Sequence, residues 1–173
     1  MLGEKEIKEA ESNVRGYLSE GLLKNKIVDE NIINKYLKNS YESLSIAQLA
    51  FGHSSLWTIV CSYYSMYYVA NALLSKIGYK VGSKISHKIT YDSLIVFIRN
   101  KLRVNLLEDY EKAKSEALEI SGTKAGEIIQ SFNFELQKRS KFQYDMTEHV
   151  MKNKAQTSLE RAKKFLFEME KLL

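Results

Sequence analysis

The segment KRSKFQYD, residues 138–145, combines the residue types that handle phosphates and nucleobases. Three cations, two aromatic rings, an amide and a carboxylate lie within eight residues. A guanidinium binds phosphate oxygens through paired N–H donors, and an aromatic face beside a cation can stack an unpaired base. Arg139, Gln143 and Tyr144 are therefore the first candidates for a ligand-binding or catalytic site in this chain.

Helical periodicity makes Arg139 unusual. At about 100° per residue, the apolar residues of the preceding turns form one stripe: Ala125, Ile128, Ile129, Phe132 and Leu136. The next positions on that stripe are Arg139 and Gln143. Because an unpaired buried guanidinium is costly, three interpretations stay open for this arginine. It pairs with an acid of another helix, such as Glu42 or Asp92, it meets a phosphate in a cleft, or it is exposed where the helix leaves the core.

A second candidate group surrounds His87, in a lysine-rich stretch before the next helix. Imidazole changes its protonation near neutral pH, and Lys84 and Lys88 add positive charge. If this stretch lies over Arg139, the two groups form one anion-binding site. Tyr64, on a tyrosine-rich helix, is the candidate for stacking a base, although such helices are more often packed cores.

The elements that position these residues are predicted to be helices, because the chain has no proline and only eight glycines. The first three predicted helices are 4–24, 30–51 (capped by Asp29) and 56–77 (capped by Ser54 or Ser55). The next is capped by Thr90 and continues or bends through 104–120, and the last two are 124–145, after a break at 121–123, and 147–173. Residues 78–89 are predicted to be irregular, and no strand is predicted. The apolar helix 56–77 belongs at the centre.

The resulting fold prediction is all-α, an up-and-down bundle of five to six helices in one domain, 1–173. Residues 1–28 form a polar N-terminal helix added to a bundle core over 29–173. The single cysteine, Cys61, suits a reducing cytosol, and no apolar run has the roughly 18 residues that a membrane span needs. We therefore predict a cytoplasmic protein without a membrane segment. No histidine or cysteine spacing predicts a metal site, and no cofactor is predicted.

A net charge of +5 and a pI near 9.1 permit contact with nucleic acid without requiring it. Three stretches, WTIVCSYYSMYYVANALLSKIGYKVGSKISHKITYDSLI, KRSKFQYD and KAQTSLERAKKFLFEM, together resemble the HEPN family of prokaryotic helical proteins over roughly residues 40–172. The similarity is greatest to an archaeal branch without assigned activity. The resemblance implies a helical bundle that is often a homodimer. Many members pair with a minimal nucleotidyltransferase in toxin–antitoxin modules, and active members are metal-independent ribonucleases.

The ribonuclease motif of that family is an arginine, a polar residue, and a histidine after four to six intervening residues. The arginine stabilises the anionic transition state and the histidine moves protons. Here Arg139 and Ser140 match the first two motif positions. The three positions where the histidine is expected hold Tyr144, Asp145 and Met146. Tyrosine, with an ordinary pKa of about 10, is a poor base.

The sequence therefore predicts a HEPN-like protein that binds RNA or a nucleotide without catalysis, in a toxin–antitoxin or other defence setting. Two alternatives stay open. One is a metal-independent ribonuclease with an atypical site around Arg139 and Tyr144. The other is a partner protein of a minimal nucleotidyltransferase.

Overall fold

The structure, a computed structural model, describes residues 3–103, 105–132 and 141–173. In this part of the chain there are six α-helices, one short 3-10 helix and one two-stranded sheet. Their bounds are α1 Glu4–Ser19, β1 Leu23–Asn25, α2 Glu30–Ala50, α3 Ser55–Lys76, β2 Tyr79–Val81, α4 Ser86–Phe97, the 3-10 helix Arg99–Lys101, α5 Asn105–Phe132 and α6 Lys141–Glu170. The all-α bundle predicted from the sequence is confirmed.

The ends of α2 and α3 follow from local chemistry. The Asp29 carboxylate accepts a hydrogen bond from the Asn31 amide at 2.9 Å, and the Ser54 hydroxyl accepts one from the Trp57 amide at 3.4 Å. These side chains satisfy amide groups that have no partner inside the first turn. Gly78 ends α3 with φ +86, a backbone conformation that favours glycine. Both predicted caps are confirmed.

Helix α3 is the centre of the bundle, as its apolar sequence predicts. It packs against α2, α4, α5 and α6, and its buried side chains contribute to one continuous core. Large members of that core are fully buried: Tyr63, Met66, Leu73, Leu94, Tyr110 and Phe165. None of the helices in the described ranges combines the length and apolarity required to span a bilayer.

The predicted absence of strands is wrong. Residues 23–25 and 79–81 pair antiparallel, with Leu23 opposite Val81, and α1 consequently ends at Ser19 instead of continuing to residue 24. A side chain at Gly82 would meet the Leu22 carbonyl oxygen at 2.8 Å, so this close approach requires glycine. Three-residue strands are too short to show alternation in the sequence. The sheet ties the α1–α2 connection to the segment that leads into α4.

Helix α4 begins earlier than its predicted start at Thr90. Its first residue is Ser86, after Ile85 with φ 44, and no side chain caps it. Thr90 lies inside the helix, fully buried, where its hydroxyl accepts a hydrogen bond from Asn71 Nδ2 at 3.3 Å. A threonine with a tertiary partner has no need to cap, and the sequence alone does not reveal that partner. His87 consequently lies in the first turn of a helix, not in an irregular stretch.

The C-terminal half also differs from its predicted boundaries. The 3-10 helix separates α4 from α5, and α5 then continues to Phe132 through the break predicted at 121–123. Gly122 is inside this helix, where glycine costs only about 1 kcal/mol, so a 28-residue helix tolerates it. Helix α6 begins at Lys141 rather than 147. The helix starts predicted at 124 and at 147 are therefore wrong, and residues 133–140 lie outside the described residues.

Candidate ligand-binding cleft

A cleft of about 430 Å³ opens where α1, the beginning of α4 and α5 meet. Its floor is the core beneath Tyr91, and its rim carries exposed apolar side chains at Ile85 and Leu118. The lining is otherwise mainly ionisable: Glu6, Glu9, His87, Lys88, Tyr91, Asp92, Glu111 and Lys114. We call this space the His87 cleft.

His87 is half-buried at one wall of the cleft and is held from below by α3. Its Nδ1 atom lies 2.6 Å from the hydroxyl oxygen of Tyr63, in a hydrogen bond. The Tyr67 ring packs against the imidazole at 4.6 Å between centroids, and Tyr64 approaches it edge-on at 5.9 Å. Burial lowers the pKa of His87 below its ordinary value, and the Lys114 ammonium lowers it further.

Both lysines of the cleft already have acidic partners. Lys88 Nζ lies 3.5 Å from Asp92 Oδ2, one turn along α4. Lys114 Nζ lies 2.5 Å from Glu111 Oε2 on α5 and 4.6 Å from the centroid of the Tyr91 ring, over its face. A cation in that position is attracted by the negative face of the ring, so Lys114 is fixed towards the cleft.

Two carboxylates of the cleft, Asp92 and Glu6, accept hydrogen bonds from a different helix. Asp92 is nearly buried and accepts from the Tyr17 hydroxyl at 2.8 Å and from Asn13 Nδ2 at 3.1 Å, both on α1. The Tyr91 hydroxyl donates to Glu6 at 2.9 Å. Burial raises the pKa of Tyr91, and its bond to Glu6 raises it further, so this phenol stays a donor at neutral pH.

Four carboxylates and two ammonium groups line the His87 cleft, together with one imidazole and one phenol. Its charge is therefore mixed, with acids in excess. Such a surface offers hydrogen-bond acceptors and donors side by side. It is unlike the grooves that follow a nucleic-acid backbone, which are lined with cations.

The structure brings together some of the predicted site residues. His87 and Lys88 line the cleft, and Tyr64 is half-buried beside His87. Lys84 is exposed in the turn before α4. Arg139 lies outside the described residues, as do the side chains of Gln143 and Tyr144, so an anion site shared by Arg139 and His87 stays a prediction.

Sequence reasoning missed the role of several cleft residues. Tyr63 was identified only as part of an aromatic helix, and Glu6, Tyr91, Glu111 and Lys114 were not identified as site residues. The i,i+3 spacing of Glu111 and Lys114 indicates a local ion pair, but nothing in the sequence places that pair opposite α1. Asp92, a predicted partner for Arg139, is bonded to Tyr17 and Lys88 in this cleft, and its pairing with Arg139 stays a prediction.

Within the ranges that the structure describes, no cluster of three or more histidine, cysteine or acidic side chains is arranged to hold a metal ion. Comparison of the chain with protein-family models, with curated proteins and with solved structures finds no match. The resemblance to HEPN proteins therefore stays an expectation.

Proposed function

We propose that this chain is a binding protein for a small nucleotide-type ligand, that the His87 cleft is the site, and that binding occurs without turnover. The observation that carries the proposal is the convergence of three helices on one open cleft with an imidazole, a phenol and two ammonium groups, of which Lys114 is held over the Tyr91 ring. A HEPN-like role in a toxin–antitoxin or other defence module remains part of this proposal.

The size of the cleft favours a small ligand. Sites for small molecules are typically clefts of about 300–1,000 Å³ that combine apolar lining with a few placed polar groups. The cleft has about 430 Å³, with Ala10, Ile85, Ile95 and Leu118 as its apolar lining. A mononucleotide offers an anionic phosphate for the ammonium groups and hydroxyl or amino donors for the carboxylates.

The charge of the cleft disfavours an extended RNA strand. Each added nucleotide brings another negative charge, and non-specific RNA-binding grooves answer it with further cations. Here Glu6, Glu9, Asp92 and Glu111 outnumber Lys88 and Lys114. Of the two ligand classes predicted from the sequence, this surface therefore suits the nucleotide better than the strand.

Isothermal calorimetry of the full chain, in chelator, tests the proposal with nucleoside mono-, di- and triphosphates beside single-stranded RNA oligomers. We expect saturable binding of a nucleotide and no cleavage of any RNA. Lys114→Met removes a hydrogen-bonded charge and should weaken binding about 10-fold. Lys80→Met makes the same charge change at an exposed position on β2 and is the matched control.

Other outcomes of that experiment select the alternatives. Strong, salt-dependent binding of RNA oligomers without nucleotide binding contradicts the proposal and moves the site to another surface. Cleavage in chelator supports the ribonuclease alternative, which Arg139→Ala then tests. If Lys84→Met weakens binding as much as Lys114→Met, the site extends to the turn before α4.

A second function, binding a protein partner, is favoured by a separate surface at the α2–α3 turn. Leu49 is 77% exposed, Trp57 57% and Ile46 51%. Neighbouring large apolar side chains that remain in water often mark an interaction site.

The resemblance implies a minimal nucleotidyltransferase as the partner. Co-expression with such an enzyme tests this, with Leu49→Lys expected to abolish the complex while nucleotide binding persists. Sedimentation velocity of the chain alone reports whether two copies join, as the resemblance also implies.

A further inference from the structure

We propose that His87 serves the cleft as an uncharged hydrogen-bond donor: Tyr63 fixes Nδ1 as an acceptor, which leaves Nε2–H for the ligand. The starting observation is geometric. The Tyr63 hydroxyl and Nδ1 are 2.6 Å apart, on the buried side of the ring, while His87 itself lines the cleft. Tyr63 is thus a positioning residue, and His87 is the residue that meets the ligand.

The direction of this hydrogen bond follows from the surroundings of Tyr63. Its side chain has no exposure to solvent, and a buried hydroxyl group is costly unless its proton has an acceptor. Nδ1 is the acceptor with which Tyr63 forms its hydrogen bond, whereas the neighbouring Tyr110 hydroxyl forms none with the described residues. The phenol also keeps its proton, because burial raises its pKa. When Tyr63 donates, Nδ1 carries no proton, and a neutral imidazole then has its proton on Nε2.

The neutral state is favoured by the groups around the ring. Phenols face it from α3, at Tyr63, Tyr64 and Tyr67. The Lys114 ammonium on α5 opposes a positive charge on the ring. The nearby carboxylates do not favour a cationic ring strongly, since most already have donors: Glu111 with Lys114, Asp92 with Lys88 and Tyr17, and Glu6 with Tyr91. Glu9, also on α1, lines the far wall and is exposed.

This inference rests on the proposed function for the identity of the ligand, and it narrows that ligand's chemistry. The group opposite His87 must be an acceptor, such as a base carbonyl, a ring nitrogen or a phosphate oxygen. Because the donor is uncharged, affinity should not depend on protonating His87. A cationic histidine would instead give binding that strengthens as the pH falls through its pKa.

The protonation state is tested directly on the free protein by long-range ¹H–¹⁵N correlation spectra of the histidine rings. We expect His87 to show the Nε2–H tautomer at pH 7, with Nδ1 shifted as an accepting nitrogen is. Tyr63→Phe removes only the hydroxyl and should move the Nδ1 resonance to the value of an unbonded nitrogen. His53→Asn, an exposed site, assists assignment. A cationic ring or an Nδ1–H tautomer at pH 7 overturns the inference.

Two substitutions of similar polarity test the role of Nε2–H in binding. The amide nitrogen of glutamine reaches about as far as Nε2, whereas that of asparagine reaches only about as far as Nδ1. We expect His87→Gln to weaken nucleotide binding about 2-fold and His87→Asn about 10-fold, the value of one lost hydrogen bond. Equal losses in folded variants, checked by circular dichroism, contradict the role of Nε2–H.

The two proposals can fail separately. If no nucleotide binds the wild-type chain, the proposed function is wrong, and the ring spectra still decide the state of His87. If a nucleotide binds but the wild-type affinity rises about 10-fold between pH 8 and pH 5.5 and His87→Gln abolishes that rise, His87 acts as a cation. The proposed function then stands and the inference is wrong.

Discussion

Helix α3 has two sides with different chemistry. Towards α2 the contact includes small side chains at its centre: the buried Ser40 hydroxyl donates to the Ser65 carbonyl oxygen at 2.7 Å, and Ala47 is fully buried. One ring pair, Tyr36 with Tyr68 at 6.4 Å between centroids, packs beside them. Towards α4 and α5 the contact is made by rings, with Tyr63 and His87 side by side. Small side chains let two helices approach and fill the space between them. Rings and charges on three helices leave a cleft open, so the second side is the one suited to a ligand.

The largest loss of stability is expected on the side of α3 that faces α4 and α5, in the core beneath the His87 cleft. Tyr110 is fully buried, stacked on Tyr91 and packed against Phe165 at 5.3 Å between centroids. Tyr110→Ala removes this ring and should lower the free energy of unfolding by about 3–5 kcal/mol in urea denaturation. Tyr110→Phe keeps the ring and is the control; because the buried Tyr110 hydroxyl has no hydrogen-bond partner among the described residues, its removal should not lower the free energy of unfolding. A loss below 1 kcal/mol in the alanine variant contradicts the position of Tyr110 in the core.

The second largest loss of stability is expected at Asp92, in the polar lining of the His87 cleft. Asp92→Ala removes the acceptor of Tyr17 and Asn13 and should cost about 2–4 kcal/mol, because a buried hydroxyl loses its partner. Asp92→Asn keeps an acceptor oxygen while removing the charge, so its loss should be smaller. A double-mutant cycle with Tyr17→Phe measures the coupling. Additive losses show that the two side chains do not interact in solution.

The sequence predictions that succeed concern features that depend on residues close together in the chain. The bundle class and the caps Asp29 and Ser54 depend on local chemistry, which the sequence carries. The break predicted at 121–123 is wrong because a long helix tolerates one glycine, and the cap predicted at Thr90 is wrong because a tertiary hydrogen bond outweighs local preference. Thr90 bonds to Asn71 on another helix.

The site was only partly predictable for the same reason. His87 and Lys88 are identifiable by residue type, since a histidine among lysines indicates anion chemistry. The partner of His87, Tyr63, lies on another helix, and the Glu111–Lys114 pair reaches the cleft from α5, so both positions are set by how the helices pack. Only the partner of Lys88, Asp92, lies one turn along the same helix. The acid excess of the cleft follows from that packing, and of the two ligands predicted from the sequence it favours a nucleotide over an RNA strand.

A smaller loss of stability is expected where α3 packs against α2. Ser40→Ala removes one buried hydrogen bond to the Ser65 carbonyl and should lower the free energy of unfolding by about 1 kcal/mol. Ser43→Ala is the matched control on the same helix, because its hydroxyl bonds only to the Asn39 carbonyl one turn away. It should cost less than about 0.5 kcal/mol, as surface substitutions usually do. Equal losses contradict the special role of Ser40 between the helices.

The smallest effect is the pH dependence of stability through His87. Burial and Lys114 lower its pKa in the folded chain, so below the unfolded-state value of 6.5 the unfolded chain binds more protons at this site. Stability should therefore fall as the pH falls from 6.5 towards the folded pKa, and level off below it. His87→Gln, which cannot titrate, should flatten this part of the curve in thermal unfolding at pH 5–8. Lys114→Met removes one cause of the lowered pKa and should flatten it partly. If His87→Gln leaves the slope unchanged, the imidazole is equally protonated in the folded and unfolded chains, and the chemical contrast between the two sides of α3 is smaller than the contacts indicate.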